Sequence, residues 1–561
     1  MSDSNMMFSS KHQYVSKNKY VYTLNSICKE ATESLLQIID VDNPPSPSEI
    51  EIELVNRIQD WCSMENQLRP KGNKLAVPSK LLPTQIGEIM LALHNIVNID
   101  FLDREEGEDS DGCVLAIYQK NGSKKGVYSC STTYIESLIQ QYNYSITARE
   151  INEVLCFLKR NAKVVRRTAE PDLIAVNNGI FNFKTKELMP FSPDYIFTAK
   201  LCVDYNPTAV NVVIHNDDDG TDWDIESWMA DLSDDPEVVQ LLWEVTAATV
   251  RPFVDWNKVV WFYSESGNNG KGTLCQMFRN ICGDGNHASI PVADFDKPFH
   301  LEPLLHVNVV ITDENDVGDY IDKAANFKAA VSNDVISINR KHKDIVSARF
   351  KGFILQCAND MLRFKDRTDS IFRRLLIVPF NKCFTGKERK YIKNDYLHRK
   401  EVLEYVLYKV LHMNFYSFSE PDACKMILEE YKEFSDPVRQ FFNEISEELV
   451  WDFVPFQFLY ELYKSWFRKN SPNGTIQGKN TFKNSLMNVV KDDVNWVCQN
   501  QKTRPGQKMS KPEPLIVEYE LTDWKNPQYT GGSVDKACRP ALKPYYEGGL
   551  IRAGACTDDI D

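Results

Sequence analysis

The sequence predicts a multidomain α/β chain. A P-loop core on a parallel sheet follows a helical and mixed N-terminal region and precedes a winged-helix-like C-terminal domain. Three observations carry this prediction. The apolar run 259–263 leads into a glycine-rich loop and then a helix-like segment, 274–281. Two more apolar runs, in 307–312 and 353–358, end in acidic or amide residues, as strands of a buried parallel sheet do at a ligand-binding edge. Residues 436–521 read as helix, helix and two β-like stretches around a polar loop.

The composition narrows the class. Hydrophobic residues at 43% and charged residues at 26% fit ordinary buried cores, and 561 residues give room for several domains. No apolar run reaches the roughly 18 residues of a membrane span, and the polar start Met1-Ser2-Asp3-Ser4-Asn5 is not a signal peptide. Fourteen cysteines without a Cys-x-x-Cys pair argue against a zinc ribbon or disulfide framework and for a reducing cytosol. A protein that coats duplex DNA is usually basic, so at a net charge of −14 broad electrostatic binding is not expected. It leaves open both a ring that grips a strand in its pore and no nucleic acid at all.

In chain order, residues 1–100 read as mostly helical, broken at 44–47 and 78–83, with helix-like apolar spacing over 50–58. The acidic stretch 103–111 reads as a solvated loop. Residues 101–250 then form an α+β domain. It has strands at 114–118 and 126–128 about an Asn121-Gly122 turn, helices over 131–163, alternating β-prone sequence over 173–188 and a helical stretch over 223–250. Residues 251–395 hold the P-loop core, and 396–525 a helical linker and the winged-helix-like domain. The turn-rich 526–561 read as an unanchored tail.

The loop itself is Gly267-Asn268-Asn269-Gly270-Lys271-Gly272-Thr273. Glycines let backbone N–H groups wrap phosphate, and the helix N-terminus adds partial positive charge. Lys271 reaches the β/γ-phosphates of ATP, and Thr273 is the nearest hydroxyl for Mg²⁺. Glu265 stands where the usual pattern opens with glycine, and Gly272 separates Lys271 from the hydroxyl residue. The run 307–312 ends in Asp313-Glu314. Asp313 is assigned to the metal and Glu314 to the attacking water. Asn359, after the third strand, lies where an amide touches the γ-phosphate. Arg374, and second Arg373, precede the apolar strand 375–380 and are candidates for an arginine finger aimed at a neighbouring subunit.

Between the second and third strands, β-like arms flank Arg340-Lys341-His342-Lys343. In a ring such a basic tip points into the channel and contacts single-stranded DNA; as a bare feature it is also a common exposed turn. In the C-terminal domain, helices over 456–469 and 480–491 and wing arms at 495–498 and 515–519 are expected. Lys483 and Lys491 are candidate DNA contacts. Lys502, Arg504, Lys508 and Lys511 lie in the loop between the arms. Such a module also docks proteins. Tyr460, Tyr463 and Trp466 read as core.

With these residues in place, the chain resembles the phage and plasmid primase–helicase family, whose motors are superfamily 3 helicases of the AAA+ class. The resemblance spans roughly residues 110–520. Asn178-Gly179-Ile180-Phe181-Asn182-Phe183, with Thr185 and Glu187-Leu188, looks like the family's pre-helicase domain. The loop 267–273 looks like its Walker A form, Asp313-Glu314 its Walker B, Asp334 with the basic hairpin its next segment, Asn359 its sensor, and Arg373-Arg374-Leu375 its finger strand. Asn333 replaces the glycine often found before Asp334. The resemblance implies an ATP-driven homo-oligomer, a hexameric ring translocating 3′–5′ on single-stranded DNA, with a separate primase or initiator as partner and no membrane. No primase domain is read in residues 1–100. Two rivals remain: a replication initiator or defence ATPase that switches assembly without unwinding, and a nucleotide phosphotransferase.

Overall fold

The computed structural model describes residues 22–41, 43–102, 104, 112–315, 320–321, 324–341, 343–361, 363–364, 369–470, 476–491, 493–538 and 543–555. It divides into two compact units. One comprises residues up to 362 with 374–421, and the other 363–373 with 422 onward.

In the first unit, prolines open two of the early helices, Pro47–Gln67 and Pro83–Leu93. Proline at the first helical position loses no hydrogen bond, because that N–H has no intrahelical partner. Ser46 and Glu49 complete a capping box before the first of them: Ser46 N–H donates to Glu49 Oε2 at 2.8 Å, and Glu49 N–H to Ser46 Oγ at 3.3 Å. The apolar faces of these helices bury Leu54, Ile58, Ile86 and Ile89 against Ile139 and Leu158 of the helices Thr132–Tyr142 and Ala148–Asn161. The end of the stretch read as helical differs. Ile96–Asp100 is a buried strand, antiparallel to Val114–Tyr118 and parallel to Lys163–Arg166. Its β-branched Ile96, Val97 and Ile99 suit a pleated surface better than a helix.

A small antiparallel sheet follows, Leu173–Val176, Gly179–Asn182 and Glu187–Met189. Gly179 is required there, since a Cβ would stand 2.4 Å from the Met189 carbonyl oxygen.

The sheet that positions the candidate site has five parallel strands in the order His287–Ala288, Val309–Thr312, Phe353–Ala358, Val259–Tyr263 and Leu375–Pro379. The four longer strands are buried throughout, which is why their sequences are apolar without alternation. The registers Tyr263↔Ala358, Tyr263↔Pro379 and Thr312↔Gln356 align the strand ends. Residues 264, 313 and 359 therefore emerge at one edge. The helices Pro236–Val250 and Lys271–Cys282 belong to the same unit. Among the described residues, no helix is long and apolar enough to cross a membrane.

The second unit orders its elements as helix Pro437–Ile445, strand Phe453–Pro455, helices Phe456–Asn470 and Lys479–Val490, and strands Trp496–Gln499 and Gly549–Arg552. Phe441, Trp451, Phe458, Tyr463, Phe482 and Trp524 fill its core. Tyr463 and Trp466 are core residues, as expected.

Two expectations fail in this unit. Residues 515–519 are not a wing arm, because Leu515–Glu518 is a short helix capped by Pro514. Proline has no N–H to give a ladder, and the carboxylate of Glu513 is occupied by the N–H groups of Val450 and Trp451 at 2.9 and 3.2 Å. Nor is the segment after Tyr529 unanchored. Gly549–Arg552 is the central strand of the sheet, paired antiparallel with both Phe453–Pro455 and Trp496–Gln499.

Candidate nucleotide-binding site

The loop after Val259–Tyr263 is held open by its own polar residues. Gly270 caps the helix Lys271–Cys282 at φ +90°, and a Cβ there would meet Leu232 Cδ2 at 2.7 Å, so only glycine fits. Asn268 takes φ +54°, a conformation that asparagine tolerates better than most side chains. Its carbonyl accepts the Phe384 N–H at 2.8 Å, and its Nδ2 donates to Thr385 Oγ1 and Glu388 Oε1, each at 3.2 Å. Asn269 Oδ1 accepts the Lys271 N–H at 3.3 Å. Glu265, the departure from the usual first glycine, is turned aside: its Oε1 accepts from Tyr263 Oη at 3.2 Å.

Lys271 is 6% exposed. Its ammonium donates to Asn359 Oδ1 at 2.8 Å and to the carbonyls of Ser264 and Ala358, both at 3.3 Å. All three acceptors are neutral, and among the described residues no carboxylate pairs with it. Burial pushes its pKa below the ordinary lysine value.

Asp313 ends the strand Val309–Thr312 and faces the same helix. Its Oδ2 lies 2.6 Å from the guanidinium of Arg279. A carboxylate oxygen of Asp313, Cys275 Sγ and Cys357 Sγ all lie within 4.8 Å of one another. This trio is not a fit for a thiolate-bound metal. The two sulfurs are 3.4 Å apart, and their mutual hydrogen bond, with burial, holds Cys275 as a thiol. For a hard cation such as Mg²⁺, whose ligands are oxygens, the half-exposed Asp313 carboxylate and the Thr273 hydroxyl on the adjoining helix are the fitting donors. Glu314 follows Asp313 and is exposed.

The structure thus brings Asn359 to Lys271, and sets Asp313 against Arg279, two turns farther along the same helix. It does not bring Arg374 to them. Arg374 precedes Leu375–Pro379, which runs parallel to Val259–Tyr263 in the register Val259↔Leu375. Arg374 therefore sits at the opposite strand end, about 17 Å away at 3.3 Å per residue. Its Nε donates to Ser332 Oγ at 2.7 Å. Arg373 is exposed.

The hairpin Val335–Ile338 and Val346–Arg349 forms as read. Asn333 supplies the left-handed turn where glycine is usual, at φ +56°, and its Nδ2 donates to Asp255 Oδ1 at 2.7 Å. At the tip, Lys341 is exposed, Arg340 Nε donates to the Asp344 carbonyl at 2.9 Å, and Lys343 folds back onto Thr132 Oγ1 at 3.3 Å. His342 lies outside the described residues. In the second unit, the ammonium of Lys483 rests over the Phe456 ring, 4.7 Å from its centre, and Lys491 is exposed.

Sequence reasoning missed Arg279 and Asn315. Arg279 lies two turns after Lys271 on the stripe through Cys275, a spacing of four that was readable. Asn315 pins the acidic segment, since its Nδ2 donates to Gln356 Oε1 and the Cys357 carbonyl, both at 3.0 Å. No sequence signal pointed to it.

Three family models match. Residues 108–241 match "D5 N terminal like", and residues 433–526 match "Poxvirus D5 protein-like". Over these two segments the chain is similar to primase–helicase-like families. Between those segments, residues 262–374 match a family of unknown function, DUF5906. Among solved structures, "The A form apo structure of NrS-1 C terminal region-CTR" is 13% identical, covering 80% of this chain and 92% of that one, with a TM-score of 0.40. "The apo structure of NrS-1 C terminal region" is 12% identical, covering 78% and 90%, also at 0.40.

Proposed function

We propose that the chain is an ATP-dependent DNA helicase of phage or mobile-element replication, working as a ring on single-stranded DNA. One observation carries the reading: a buried lysine ammonium at a helix N-terminus, surrounded by neutral acceptors. An uncompensated buried cation is costly unless an anion joins it. A glycine-capped helix end beside it is where a phosphate is bound.

In this reading the backbone N–H groups of 267–273 and Lys271 hold the phosphates of ATP. Thr273 and Asp313 hold Mg²⁺, which neutralises phosphate charge when bound. Glu314 orients the attacking water, and Asn359 passes from Lys271 to the γ-phosphate. Arg374 lies at the opposite strand end from its own loop and serves a neighbouring protomer, which supports an AAA+ type, superfamily 3, hexameric arrangement. Arg340, Lys341, His342 and Lys343 meet the DNA backbone. The element order of the second unit, with its last strand between the other two, supports a winged helix in which residues 500–548 replace a short wing. A separate primase or initiator is the expected partner.

Strand displacement by the wild type and by Lys271→Ala tests the proposal. DNA-stimulated ATP turnover with displacement, both lost in the variant, is the expected result. Turnover indifferent to DNA, with no displacement, would refute the motor and favour an ATPase that switches assembly.

A further inference from the structure

Beside the loop, and lined by neither Lys271 nor Asn359, lies a cavity of about 540 Å³, within the usual range for small-molecule sites. Gly270 and Thr273 form one wall, Trp228 and Leu232 a second, and the segment 384–394 a third. That third wall is tied to the loop through Asn268, which accepts from Phe384 N–H and donates to Thr385 and Glu388. The same segment carries Lys387, Arg389, Lys390 and Lys393, against one carboxylate, Glu388, which Asn268 and the Gly386 N–H engage. Lys393 is the closest of these cations to the helix start. Its Nζ lies 3.9 Å from where a Gly272 Cβ would be, in the first turn, where backbone N–H groups lack intrahelical partners. Among the described residues Lys393 pairs with no carboxylate.

We propose that this cavity receives the nucleoside end of the nucleotide and that Lys393 is a second phosphate-contacting residue, acting within the protomer from the wall opposite the loop. The inference rests on the nucleotide reading of residues 264–273. Lys271 approaches the phosphates from beneath the loop, and Lys393 from above the helix N-terminus. The apolar Trp228, Leu232 and Phe384 give the base a surface to rest on, and Asn268 sets the height of the roof.

Equilibrium binding of ADP by calorimetry tests this on the full chain. Lys393 is exposed, so its substitution leaves the core intact. Lys393→Gln is expected to weaken ADP binding roughly tenfold, the scale of a lost charge-assisted contact, and Lys393→Arg to restore it to within about twofold. Lys393→Gln binding ADP like the wild type overturns the inference. So does Lys393→Arg binding no better than Lys393→Gln. Absence of ADP binding by the wild type would instead overturn the P-loop reading itself, and Lys271→Ala provides the reference for that outcome.

Discussion

Asp313 Oδ2 and the guanidinium of Arg279 stand 2.6 Å apart, so the helix Lys271–Cys282 already neutralises the acid that ends the neighbouring strand. A cation binding Asp313 must compete with Arg279. Removing the competitor leaves Asp313 half-exposed and solvated, so the fold tolerates the change. Arg279→Gln should therefore lower the Mg²⁺ concentration for half-maximal ATP turnover several-fold. A Mg²⁺ titration of wild type and variant reads this directly, and an unchanged or raised midpoint would remove Asp313 from the metal site.

Lys271 sets stability against function. Its buried ammonium meets only neutral acceptors, so Lys271→Met should stabilise the nucleotide-free protein by about 1–2 kcal/mol while abolishing ATP turnover. The pH dependence has a definite sign. Burial lowers the folded pKa beneath the ordinary 10.5. Between that lowered value and 10.5 the unfolded chain binds more protons, so wild-type stability rises with pH; below it the whole penalty is present. The advantage of the methionine variant is therefore largest near neutral pH and shrinks as pH approaches 10.5. Thermal midpoints of the two proteins across that range check this, and a constant gap would contradict it.

How much of this was legible follows from which forces are local. The strand Val259–Tyr263, the helix from Lys271 and the hairpin at 335–349 were readable because apolar runs, glycines and turn residues act within a few positions of themselves. The pairing of Asp313 with Arg279 was not, because it depends on which strand the sheet seats beside the helix. The helix Leu515–Glu518 looked like a strand because Leu-Ile-Val-Glu suits a pleat, and only Pro514 and the buried Glu513 decide otherwise. Gly549–Arg552 was invisible for the opposite reason: four residues beginning in glycine carry almost no β signal, and long-range pairing alone makes them a strand.

The basic hairpin tip offers unequal handles. Lys341 is exposed, whereas Lys343 is spent on Thr132 and lies 4.0 Å from Glu302. Each phosphate contact on a single strand contributes a slope of about 0.7 to the salt dependence of binding. Lys341→Ala should lower the slope by roughly that amount, and Lys343→Ala by clearly less. Fluorescence anisotropy with labelled single-stranded DNA over a range of salt separates them. Equal slopes for both variants would mean that the tip rearranges on DNA or does not touch it.

The end of the chain offers a test of the second unit that needs no ligand. Gly549 sits where a Cβ would lie 2.2 Å from the Val454 carbonyl oxygen and 2.8 Å from Pro455 Cα, both backbone atoms that cannot swing away. Gly549→Ala must push the strand Phe453–Pro455 aside and should cost about 1–3 kcal/mol. Deleting residues 529–561 goes further. It removes the central strand and leaves the two outer ones without a ladder, and isolated strands are not stable in water. Leu550 and Ile551, both buried, would leave a gap beside Phe453 and Trp496. In calorimetry the transition of the second unit should fall in temperature for Gly549→Ala and disappear in the truncated chain. That of the first unit, whose five-stranded sheet and glycine-rich loop lie wholly within residues up to 421, should remain. A truncated chain that keeps both transitions would show that the strand is dispensable and that the tail is as loosely held as its glycines imply.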